Sequence, residues 1–277
     1  MVQKNYKLWT ELPYAGETEP PSNPSEPHAG YWPLFFFRRD LQGHLTDPSG
    51  KPVKLRIKDP HLINWQKQLQ KVQSSLDNLT EDQIKKATYW GTGGATKQWT
   101  PIVDRLIDTY GVTAPKAARI LAAVNAGIND AFVVAWSLKY TWLVARPNQL
   151  DSGLATLLCT PRHPSYPSGH ATISGCASEI LQYFFPTEAD HLKALADECA
   201  LSRLYAGVHF QADDDEGLRL GKQLGRLIIR QLRNHKYHCK PIDIPDMNGK
   251  NAELPPPPYE QVIPFDFAQT CESLVRK

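Results

Sequence analysis

Residues 114–145 form a predominantly apolar stretch, far longer than any strand, so the stretch must be a helix and its sides must be covered by other helices. It ends at the Arg146-Pro147 step, because a residue that precedes proline is pushed out of helical geometry. This helix is expected to be central, and the flanking sequence supplies its neighbours. Leu62, Trp65, Leu69 and Val72 recur at helical spacing, and Thr80 stands as an N-cap ahead of Glu81, Asp82 and Gln83. Another helix is expected over residues 100–110, stopped by Gly111. Further helices are expected over 168–184, 188–206 and 214–235, the first two divided by Phe185-Pro186. There is no internal repeat and no alternating strand pattern, so the predicted fold class is all-α, a single helical bundle.

The bundle is predicted to occupy residues 59–240. Residues 1–58 read as an irregular Pro-rich arm; Trp9, Tyr31, Trp32 and the Phe35-Phe36-Phe37 run would leave much apolar surface in water unless most of it docked on the core. A short hairpin fits around Asp47-Pro48-Ser49-Gly50. Residues 241–277 read as a Pro-rich tail, extended as polyproline II on the surface around Pro255 to Pro258.

The chain has 277 residues, with 41% hydrophobic and 22% charged residues, which suits one globular domain rather than a disordered or fibrous one. A formal net charge of +2 gives no reason to expect nucleic acid, so any positive field that matters must be local. The first residues, Met1 to Tyr6, lack the apolar run of a secretory signal, which predicts a cytoplasmic protein. Because even the apolar segment around Ala131 to Ala145 carries Lys139, no transmembrane segment is expected. The five cysteines are odd in number, widely spaced and without a CxxC pair, so neither a disulfide framework nor a zinc site is expected, only buried free thiols.

Three segments carry chemistry. Lys139 and Arg146 are seven residues apart, which on a continuous helix puts both cations on one face. No carboxylate lies three or four residues from either, so they either snorkel to water or hold an anion. In Pro167-Ser168-Gly169-His170 a rigid turn opens a helix; its unpaired N–H groups, with the Ser168 hydroxyl, form either an ordinary cap or an anion site beside His170. In the third, Ser202-Arg203 is followed by His209 and Asp213. A carboxylate four residues after a histidine can bind one ring nitrogen and leave the other as a lone-pair donor, making His209 a nucleophile or a metal ligand; Asp213 also suits a helix cap. Arg203 offers the planar, bidentate donors that oxyanions favour.

Together these segments resemble the signature of the superfamily that joins vanadium-dependent haloperoxidases to bacterial acid phosphatases and type 2 phosphatidic acid phosphatases. The pattern is Lys, six residues, Arg-Pro; then Pro-Ser-Gly-His; then Ser-Arg, five residues, His, three residues, Asp; every position is filled here, between about residues 129 and 213. The resemblance implies that Lys139, Arg146, Ser168, Gly169, His170 and Arg203 surround an oxyanion. In a phosphatase, His209, oriented by Asp213, would attack phosphorus and His170 would protonate the leaving oxygen of a phosphate ester, through a phosphohistidine. In a haloperoxidase, His209 would ligate vanadate and His170 would move protons while hydrogen peroxide oxidises halide for a small organic acceptor.

Two details are similar to the haloperoxidase branch: Trp136, three residues before Lys139, and His163 in Thr160 to Pro167, at a position associated with halide preference. Vanadate is therefore the expected cofactor, with phosphate able to occupy the same site, and no haem, flavin or nucleotide is implied. A homo-oligomer is compatible with this reading, as is a protein that binds the oxyanion without turnover.

Overall fold

The computed structural model describes residues 5–245, 247–263 and 271–276. Among these, eight α-helices carry the architecture: α1 (Trp65–Asp77), α2 (Glu81–Gly91), α3 (Trp99–Tyr110), α4 (Ala114–Trp142), the single turn α5 (Pro147–Leu150), α6 (Gly169–Phe184), α7 (Ala189–Tyr205) and α8 (Gln211–Asn234). The fold is helical, as the periodicity predicted; two antiparallel hairpins of two residues per strand are its only sheets among the described residues, β1 (Arg38–Arg39) with β2 (Leu45–Thr46) and β3 (Lys236–Tyr237) with β4 (Lys240–Pro241).

Local chemistry sets the helix ends. Thr80 and Gln83 form a reciprocal capping box on α2, and Gly111 closes α3 in the left-handed region that glycine tolerates best. The helix expected over 114–145 stops at Trp142, where Leu143 turns left-handed with φ 56°. Arg146 is therefore not on the face of α4 that carries Lys139, and the helical-face argument for that pair fails. Arg146 is extended (ψ 160°), as a residue before proline prefers, and precedes α5.

The central helix is α6, not α4. Twelve of the sixteen residues of α6 are buried, and α4, α7 and α8 pack around it. Its contact with α8 is very close, because Gly217, Gly221 and Gly225 form a seam at four-residue spacing. A Cβ at Gly221 would lie 2.0 Å from the Thr172 carbonyl oxygen, and one at Gly217 2.8 Å from that of Ser168. This seam draws the two helix N-termini together, so that the Ser168 N–H donates to the Asp213 carbonyl at 3.0 Å.

By length and composition α4 is able to cross a membrane, contrary to the expectation that no segment would. In the fold it packs on α6 and α8, and the arm covers part of it. Buried Asp130 receives the N–H groups of Phe35 (2.8 Å) and Phe36 (2.7 Å), the Asn129 amide donates to the Pro33 carbonyl, and the Tyr140 hydroxyl to that of Ser25. Phe37 is buried, whereas Tyr31 and Phe35 are exposed. Asp130→Ala would strand two N–H groups and is expected to cost ~3 kcal/mol in urea unfolding; an unchanged midpoint would mean that the arm is held elsewhere.

Two expectations about the carboxy-terminal side are overturned. The tail is not confined to the surface: Ala252 and Leu254 join the core, and the prolines after them run through bends. Cys159 and Cys271 form a disulfide, whose partners stand 112 residues apart, a separation that hides the pairing from local spacing. Cys176 and Cys199 are buried free thiols, and Cys239 is exposed.

Candidate active site

The three sequence segments meet at one cavity of about 1000 Å³. Trp136, His163, Gly169, His170, Arg203 and His209 line it, while Lys139, Arg146 and Ser168 stand fully buried behind its wall. Each cation is tied down by groups that carry no negative charge. The Lys139 Nζ donates to the carbonyls of Pro164 (2.8 Å) and Ser165 (2.7 Å). The Arg146 guanidinium donates to the carbonyls of His163 (2.9 Å) and Val208 (2.6 Å) and meets the rings of His163 (3.0 Å) and His209 (3.2 Å). Arg203 donates to Ala87 O and Ser202 Oγ. None of these partners is a carboxylate, among the described residues.

That arrangement is costly. Burial, and then the charge of Arg146, hold Lys139 well below its ordinary value; burial also lowers both arginines. Asp213 and Asp214 are the opposite charges that reach Lys139, and burial pushes both up, Asp213 to about 6 and Asp214 well above the usual carboxylate range with Asp213 beside it. Among the described residues neither bonds Lys139, Arg146 or Arg203 directly.

His209 lies in the short turn between α7 and α8, just after Gly207, whose φ of 74° makes that turn and where a Cβ would press on the Leu76 methyls at 2.9 Å. Its Nδ1 bonds Asp213 Oδ2 at 2.8 Å although His209 itself precedes the helix. Asp213 does two jobs at once, since the same oxygen accepts the Phe210 N–H (3.0 Å) as a cap, and the Ser165 hydroxyl (2.5 Å) as well. With Nδ1 as donor to the carboxylate, the His209 Nε2 keeps its lone pair. His170, in the first turn of α6, makes a backbone hydrogen bond to Trp90 and leaves Nε2 buried without a protein partner among the described residues. Burial and then Arg203 hold His170 well below the usual histidine range; for His163 and His209 burial acts with Arg146, and in all three the shift favours the neutral ring.

Ser168 caps α6, its hydroxyl facing the Ala171 N–H, and α6 directs its N-terminal dipole at the cavity through Gly169. A Cβ on Gly169 would meet Trp136 at 3.1 Å. Trp136 in turn packs on His163, ring centroids 4.7 Å apart, with the Lys139 ammonium 5.7 Å from the indole centroid. Every residue singled out from the sequence is thus at this cavity or directly behind it. Sequence reasoning missed Ser165, Asp214, and Gly91, whose Cβ would lie 2.8 Å from the Arg203 guanidinium. No local signal marks Ser165 or Gly91; Asp214 was visible only as part of an acidic run.

Residues 118–237 match the profile of the PAP2 superfamily. A vanadium-dependent bromoperoxidase of Corallina pilulifera is 33% identical over 26% of this chain and 17% of its own length, and that of Corallina officinalis is 32% identical over the same shares. A bacterial vanadium-dependent iodoperoxidase superposes with a TM-score of 0.62 at 23% identity, over 80% of this chain and 60% of that one. An apo bacterial vanadium-dependent chloroperoxidase gives 0.60 at 15% identity, over 80% and 59%. The chain therefore spans less than two thirds of each relative, and the structural likeness speaks for a shared helical fold. The profile covers less than half of the chain, from within α4 to just past α8, and over those residues, where every position of the signature is filled around one cavity, the chain is similar to the PAP2 superfamily.

Proposed function

We propose that this protein is a vanadium-dependent haloperoxidase-like enzyme, oxidising halide with hydrogen peroxide for a small organic acceptor. One observation carries the reading: Lys139, Arg146 and Arg203 are buried around one cavity, with no carboxylate bonded to any of them among the described residues. A multiply charged oxyanion relieves that cluster as no neutral ligand can. The residues fit vanadate: His209 presents an Nε2 lone pair fixed by Asp213, and the orphaned His170 Nε2 is free to exchange protons. Lys139, Arg146, Arg203, Ser168 and the Gly169 N–H would hold its oxygens, and His209 would bond the vanadium. Bound there, vanadate supplies a Lewis-acidic centre that activates hydrogen peroxide. His170, neutral in its buried setting, accepts a proton as peroxide enters and returns it later. His163, bonded to Arg146 and packed at a tilt against Trp136, forms the wall that a halide meets. The bromoperoxidase relatives support this branch. We take α4 as a core helix, since Asp130 and Lys139 find their partners inside the chain.

The His209–Asp213 pair favours a second reading, a phosphomonoesterase. There the His209 Nε2 attacks phosphorus, the ester oxygen leaves with a proton from His170, and water then releases phosphate from the phosphohistidine. An incoming phosphate's negative charge raises His170 from its depressed value and so readies it as the acid.

Protein stripped of phosphate and loaded with orthovanadate is expected to halogenate a phenolic indicator in the presence of peroxide with bromide or iodide. No halogenation with any halide, together with rapid cleavage of p-nitrophenyl phosphate, would establish the phosphatase instead. Tight phosphate binding with inertness in both assays would mean a binding protein.

A further inference from the structure

The cavity is far larger than an oxyanion needs, and its outer wall is a separate piece of chain. Cys271, Glu272, Ser273 and Val275 line it beside Leu158, Cys159 and Thr160. Residues 271–276 are held there like an added strand: the Thr156 N–H donates to the Leu274 carbonyl (3.2 Å), the Arg276 N–H to the Thr156 carbonyl (2.8 Å), and the Leu274 N–H to the Ala15 carbonyl (2.7 Å). Arg162 bridges Glu272 of this strap to Glu17 of the arm, and the Cys159–Cys271 disulfide fixes its leading end.

We propose that the strap is a specificity-determining wall: the oxyanion residues at the floor take the phosphate-like group, and the space between Phe132, Trp136, Leu158 and Val275 takes an aryl-sized organic group above it. A volume of about 1000 Å³ accommodates a group of that size, and the wall combines apolar side chains with a polar rim at Arg162 and Glu272. The disulfide sets where this wall stands, because Cys159 belongs to the segment leading to His163, while nothing else covalent ties residues 271–276 to that side. In a reducing cytoplasm such bonds open and in an oxidising compartment they persist, so the acceptor range follows the compartment.

The inference rests on the oxyanion reading of the floor, and the experiment separates the two. Calorimetry would compare inorganic phosphate with phenylphosphonate and naphthylphosphonate, on oxidised protein, on protein reduced with a phosphine, and on the Cys159→Ser/Cys271→Ser variant; circular dichroism would verify that each is folded. The oxidised protein is expected to prefer the aryl phosphonates over phosphate by about tenfold or more, the effect of burying one ring face. Opening the disulfide should erase most of that preference. If the variant does not fold, the reduced parent protein, and Val275→Asp with its bond intact, give the same readout. A preference that persists with the strap released, or none in the oxidised protein, overturns the strap proposal. Failure of phosphate itself to bind overturns the oxyanion reading and the strap with it.

Discussion

Replacing His209 with alanine is expected to lower turnover ~10³-fold or more while phosphate affinity stays within about tenfold of the parent. The two effects separate because different atoms carry them. The His209 Nε2 is the lone pair that Asp213 fixes, through the 2.8 Å bond to Nδ1, and Arg146 Nη1 stands 3.2 Å from it. Nothing else in the turn between α7 and α8 can replace a nitrogen that attacks phosphorus or ligates vanadium. The cations, by contrast, keep their anchors, since only one of the Arg146 contacts involves His209 and those of Lys139 and Arg203 do not. Folding should change little as well: without the ring, Asp213 Oδ2 still accepts from Ser165 and from the Phe210 N–H. Steady-state rates with p-nitrophenyl phosphate and in the halogenation assay, alongside phosphate calorimetry, check all three statements. Residual turnover within tenfold of the parent would remove His209 from the chemistry under either reading.

What the sequence makes legible here is what local rules govern. Helix periodicity, the Thr80 cap and the Gly111 stop are properties of a few consecutive residues, and the helices lie close to where those rules put them. The candidate site residues were legible for a different reason: each of the three short segments left an ordinary structural reading open, and only their joint resemblance to a known signature singled them out. Their convergence is not local. It depends on the seam of Gly217, Gly221 and Gly225 against α6, a four-residue spacing that stands in the sequence but acquires meaning only once its partner helix is known. Arg146 shows the converse, a residue rightly grouped with Lys139 on the wrong geometry, because a left-handed Leu143 ends α4 before it. Ser165, the Cys159–Cys271 bond and the strap are contacts between distant parts of the chain, and no window of neighbouring residues encodes them.

The cation cluster yields a prediction of opposite sign in the presence and absence of anion. Lys139→Met keeps an unbranched chain of similar reach in a fully buried position and removes a charge that burial and Arg146 both disfavour. Taking an ion out of water costs several kcal/mol, and even whole buried ion pairs replaced by apolar residues of similar volume are often neutral or more stable by ~1–4 kcal/mol. Part of that gain is offset, because the carbonyls of Pro164 and Ser165 lose their charged donor. Without any oxyanion, then, Lys139→Met is expected to be at least as stable as the parent. In saturating phosphate the order reverses. The parent gains ~2.7 kcal/mol at a hundred times its dissociation constant, whereas the variant, short of a buried charge partner worth ~2–5 kcal/mol, binds phosphate some thirtyfold to several thousandfold more weakly and gains little. Thermal unfolding of both proteins in buffer free of phosphate and sulfate, and again across a phosphate titration, measures the crossing directly. If Lys139→Met loses several kcal/mol in anion-free buffer and still binds phosphate as the parent does, the lysine is a structural donor to the 164–165 turn. The anion would then have to be held by Arg146, Arg203 and the N-terminus of α6 alone, and the case for a cofactor as highly charged as vanadate would weaken with it.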